Sequence, residues 1–162
     1  MNVIPNPTSR VHIIKRTKEG AVALIVTQSA ERPYCVRHKG EDKHFEFRHE
    51  AYTYLAQQGW LDLSTRNKRL LAYFEAQGLP YGADHIDGEP VVYRRGKAFD
   101  VEISQGRNSP FIVYIWSLGD TGYPQQIVRK HSVSSRDITT AAQEIDRLVE
   151  DYMEEACGAY EN

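Results

Sequence analysis

At 162 residues, with 41% hydrophobic and 26% charged, the chain suits one soluble globular domain able to bury a core without disulfide or metal staples. Two cysteines far apart, Cys35 and Cys157, exclude a disulfide framework and a zinc ribbon, so reduced thiols and a cytoplasmic location are expected. The formal charge of −2 hides a split: residues 137–162 hold eight Asp/Glu against Arg147 alone, while the first 136 hold nineteen Lys/Arg against fourteen acids.

Residues 1–10, with Pro5 and Pro7, read as a flexible segment without the apolar stretch of a signal peptide. Residues 11–16 and 21–27 predict two strands across a turn at Lys18-Glu19-Gly20, the second apolar enough to be buried on both faces. Strands at 34–38 and 44–47 follow, then a helix over 49–58 that Gly59 ends, with Trp60 folding back on it. Ser64 or Thr65 can cap the next helix, which runs to Gln77 with Leu70, Leu71 and Phe74 on one face. Residues 79–90, rich in Gly, Pro and Asp, read as a loop and candidate hinge. Strands at 91–95, 98–104, 111–118 and 126–133 come next. Ser134-Ser135-Arg136-Asp137 then predicts a capping box. In the last helix Ile138, Ala141, Ala142, Ile145, Leu148, Val149, Tyr152, Met153 and Ala156 form one apolar stripe, and nearly every acid falls off it.

These elements predict an α+β fold: a mostly antiparallel sheet, or two related sheets, of about six to eight strands covered by three helices. Residues 11–157 form the domain, with candidate halves 11–78 and 91–157, and 158–162 form a tail. Both halves run strand-strand-strand-helix. An ungapped offset of 87 aligns Ile25-Val26 with Ile112-Val113, but with only five identities over 32 positions. A degenerate duplication competes here with chance similarity between two half-buried sheets, and chance is favoured.

Cys35, His38, His44, His49 and Glu50 lie close in sequence, and zinc requires three or four such ligands to converge. Cys35 and His38 point to opposite faces of one strand, and Thr53 stands where a second zincin histidine should. Neither a metal site nor a cofactor is expected. Asp120-Thr121-Gly122 matches the catalytic turn of aspartic proteases, but that chemistry needs two such carboxylates, and a hairpin turn explains one. GxSxG, Walker and GxGxxG patterns are missing from the sequence, so catalysis has no motif to rest on.

From Thr65 to Tyr152 the order helix-strand-strand-strand-helix, with Gln77-Gly78-Leu79-Pro80 leaving the first helix, resembles a double-stranded-RNA-binding domain. The resemblance implies a topology. That family opens its last helix with a phosphate-gripping lysine cluster, whereas this chain reads Ser134-Ser135-Arg136-Asp137-Ile138, so no RNA-binding residue is carried over.

Two binding modes remain. Glu144, Glu150, Asp151, Glu154 and Glu155 make an acidic face on the last helix, with the last two expected in its final turn, where the macrodipole disfavours them. Such a face fits a protein partner with a basic surface, with the chain as an inhibitor or accessory factor, a role that small mobile-element and toxin-neutralising proteins also play. The alternative partner is nucleic acid, met by Arg94, Arg95 and Lys97 on one hairpin and Arg129, Lys130 and His131 on another strand, with tyrosines to stack bases. A third explanation is internal: Arg66, Lys68 and Arg69 open the helix after Ser64 with the wrong sign for its dipole and could pair with the acids.

Overall fold

The computed structural model of the chain describes residues 9–106, 109–119 and 124–160, the last four of them by backbone alone. Asp120-Thr121-Gly122 therefore lies outside the described residues. Among the described residues the fold is α+β, with two antiparallel sheets and three helices. β1 (Ser9–Thr17), β2 (Gly20–Thr27), β3 (Tyr34–His38) and β4 (Glu41–Phe45) form the first sheet in chain order. α1 (Arg48–Gln57) and α2 (Thr65–Ala76) follow. The second sheet has the order β5 (Gly82–Ile86), β6 (Glu89–Arg95), β7 (Phe99–Ser104), β8 (Phe111–Leu118) and β9 (Pro124–Val133). α3 (Ile138–Tyr160) is the longest helix, at 23 residues.

Among the described residues nine strands replace the expected six to eight, with β5 the addition, and two tight turns set where β4 and β5 lie. Lys39-Gly40 has φ of 54° and 75°, and Asp87-Gly88 has 51° and 80°. Both residues of each pair are thus left-handed, as in the two-residue hairpin whose twist matches that of its strands. The first turn starts β4 at Glu41 rather than at residue 44. The second converts much of the expected loop over 79–90 into β5 and the start of β6.

The described residues fall into two compact units, one made of those up to 62 with 82–90, the other of 63–81 with those from 91 onward. In the first, Val22 and Leu24 of β2 and Val36 of β3 are buried. α1 covers this side of the sheet: the rings of Phe45 and Tyr54 lie 5.5 Å apart, and Trp60 stands edge-on to His38 at 4.6 Å. Trp60 also closes α1, donating its N–H to Leu55 O at 2.9 Å while Gly59 donates to Ala56 O. α1 holds β5 through Arg48, whose fork donates to both oxygens of buried Asp84 at 2.9 and 3.2 Å.

In the second unit β6 to β9 form a meander. Its register puts Val92, Val101, Ile103, Val113 and Ile115 on one face, all fully buried. α2 and α3 pack there: Asn67 of α2 donates to Ile103 O at 3.3 Å, and Phe99 meets Tyr152 of α3 at 5.3 Å. Ser64 caps α2 by accepting the Asn67 N–H. The capping box expected from Ser134 does not form. Asp137 caps α3 itself, its carboxylate accepting the N–H and hydroxyl of Thr140 at 3.0 and 2.7 Å.

Both units run a meander into a helix, but the duplication is not matched in detail. β4 has no counterpart between β9 and α3, and β2 and β8 begin at Gly20 and Phe111, off the offset of 87. The likeness to the double-stranded-RNA-binding order also stops short, because five strands, not three, separate α2 from α3.

Candidate functional site: the acidic helix and its cations

The stripe of α3 buries Ala141, Ala142, Ile145 and Val149, so its acids flank the contact with the sheet or stand away from it. Those on the flank meet arginines of the sheet. Alternation along β6 puts Arg94 on the same face as Val92, beneath α3, where the residue is only 9% exposed. It donates to Asp146 at 3.4 Å and to Glu150 at 3.2 Å, and lies 5.2 Å from the centre of the Tyr81 ring. Burial works against its charge, but hydrogen bonding with Tyr81 and Glu150 more than offsets this and raises its pKa. The Tyr81 hydroxyl donates to Asp146 at 2.8 Å, and burial foremost pushes that phenol well above its ordinary range. Arg129, three strands further across the same face, reaches Glu155 at 3.4 Å and lies over the Tyr152 ring.

The cations of the nucleic-acid alternative divide between the two faces of the second sheet and the β6–β7 turn. Arg94 and Arg129 turn toward α3, while Arg95 pairs with Asp100 at 3.8 Å on the opposite face of the sheet. Lys130 sits over the Tyr114 ring on that opposite face, Lys97 is exposed in the β6–β7 turn, and His131 is half-buried on β9. Arg66, Lys68 and Arg69 make no ion pair among the described residues, so the internal answer to α3 comes from the sheet and not from α2.

The expected acidic face divides. Glu150 and Glu155 are engaged as above. Glu144 is half-buried, Asp151 and Glu154 are exposed, and these three have no cationic partner among the described residues. Because α3 runs on to Tyr160, Glu154 and Glu155 lie more than a turn from its end, where the macrodipole has faded. The dipole penalty expected for them is correspondingly small.

The candidate metal ligands of the first unit also separate. His38 packs on Trp60, and His49 stacks on Phe47 at 5.7 Å. Of that set Cys35 keeps His44, which stands opposite it on β4, and it gains Asp42, which the earlier start of that strand brings in. Asp146, Tyr81 and Asp42 were not expected at these positions. For Asp42 a signal existed in the Lys-Gly turn, which fixes the register of the hairpin.

In comparisons with known proteins, no family model matches the chain, and neither a curated protein nor a solved structure matches it. No helix among the described residues is long and apolar enough to cross a membrane.

Proposed function

We propose that the protein acts by binding another protein, as an inhibitor or accessory factor in the cytoplasm, and that it docks through the outer ridge of α3. Glu144, Asp151 and Glu154 form this ridge, and its partner presents a basic surface. The observation that carries the reading is the division among the acids of one helix. Asp146, Glu150 and Glu155 are answered by Tyr81, Arg94 and Arg129, whereas Asp151 and Glu154 stand exposed and make no ion pair among the described residues, not even with Arg147 of the same helix side. Exposed like charges three residues apart on a helix repel slightly, and a basic surface removes that repulsion.

The same geometry weakens the nucleic-acid alternative. Two of its six cations are held against α3, and phosphate binding depends on free Lys and Arg in number. Affinity isolation with the wild-type chain and with Asp151→Asn/Glu154→Gln tests the proposal. A partner retained by wild type should be lost from the double variant and kept by a Lys97→Gln control. Identical partners for wild type and double variant would sink it. Salt-dependent shifts of duplex or single-stranded probes, abolished by Lys97→Gln/Lys130→Gln, would favour the alternative instead.

A further inference from the structure

The first sheet brings together three side chains able to ligate a metal ion. The Lys39-Gly40 turn sets Cys35 opposite His44 and Arg37 opposite Asp42. Period-two alternation then puts all four on one face of the hairpin. The Cys35 sulfur, an Asp42 carboxylate oxygen and a His44 ring nitrogen lie within 4.8 Å of one another. A tetrahedral zinc ion, with bonds of about 2.0–2.3 Å, holds its donors about 3.5 Å apart. Rotation of the exposed His44 side chain toward buried Cys35, with a small shift of the Asp42–Arg37 pair, closes that difference.

Arg37 belongs to the same cluster. Its Nε and Nη2 donate to the two Asp42 oxygens at 2.7 and 2.8 Å. An ionised carboxylate offers about four lone-pair positions, so this fork uses half of them and fixes the orientation of the rest. Outer partners of metal ligands commonly work this way. The guanidinium repels a dication, but its side chain is 55% exposed and screened by water. A thiolate and a carboxylate set two negative charges against it.

We propose that Cys35, Asp42 and His44 form a binding site for a divalent cation of the zinc class, with three protein ligands and a fourth position left to water. The mixed sulfur, nitrogen and oxygen set selects a borderline-soft ion over magnesium or calcium, which take oxygen shells. The site belongs to the first unit and does not depend on the docking reading.

The test is titration of the chelator-treated full chain with Co2+, followed by competition with Zn2+. A 1:1 complex should show a thiolate-to-cobalt charge-transfer band with strong tetrahedral d–d bands. Cys35→Ser should abolish the charge-transfer band, and Cys157→Ser should leave it intact. Asp42→Asn and His44→Gln, both at exposed positions, should each weaken binding about tenfold or more, the least that a lost ligand costs when outer partners already cost 10–100-fold. Zn2+ should also raise the thermal midpoint of wild type and of Cys157→Ser but not of His44→Gln. A charge-transfer band that survives Cys35→Ser, or binding unchanged in His44→Gln and Asp42→Asn, would overturn the site. So would the absence of any 1:1 complex.

Discussion

Replacing Arg94 with Met should cost far more stability than the same change at Arg129, although both arginines pair with acids of α3. The Arg94 side chain is 10% exposed and lies 3.2–3.4 Å from its two carboxylates. Breaking a buried pair by removing one partner costs about 3–5 kcal/mol, because the survivor keeps an unanswered charge. Part of that is recovered here, since Glu150 is 50% exposed and rehydrates, and Asp146 keeps the Tyr81 hydroxyl. A loss of about 2–3 kcal/mol remains, with Met filling much of the volume. Arg129 and Glu155 are 50% and 67% exposed, so Arg129→Met should cost at most about 1 kcal/mol. Urea unfolding measures both variants. Trp116 reports on the second unit, and a Trp60→Phe background silences the other tryptophan. Equal losses in the two variants, within about 0.5 kcal/mol, would refute the argument that the sheet closes one flank of α3 through a buried charge.

Asp151→Asn/Glu154→Gln should leave urea stability within about 0.5 kcal/mol of wild type, since both positions are exposed and more than a turn from the helix end. Gly82→Ala should destabilise the first unit by about 1–3 kcal/mol, because a Cβ there collides with the Thr53 side chain. That hydroxyl accepts the Ala83 N–H and donates to His49 O, so thermal unfolding should show the loss clearly. Asp137 is held below the ordinary carboxylate range by its two bonds from Thr140. Its contribution is therefore complete above the unfolded value of about 3.9 and lost as pH falls through the lower folded one. Asp137→Asn keeps a cap that does not titrate, and its stability should fall less steeply than wild type over that acid range.

Much of the fold was legible because burial writes itself into local pattern. The stripe from Ile138 to Ala156 predicts α3, and the apolar runs of β2 and β8 predict central strands. The misses are turns. Neighbouring Gly and Pro hide the Asp87-Gly88 turn in what reads as a loop, although Asp-Gly is among the strongest hairpin signals. The site was legible only as charge. Sequence places eight acids after residue 136, but which are answered depends on strand register that no local pattern contains. Arg94 illustrates the difficulty: Val91, Val92 and Tyr93 precede it, so both faces of β6 look buried and the inward one is not marked.

The central claim is that Asp151 and Glu154 are kept exposed for a basic partner. Zero-length carbodiimide coupling in extract, which joins a carboxylate only to an amine already in contact with it, tests this most directly. Peptide mapping should place intermolecular cross-links between Asp151 or Glu154 and lysines of one partner protein. Intermolecular cross-links confined to other carboxylates, with Asp151 and Glu154 unmodified by any partner, would contradict it.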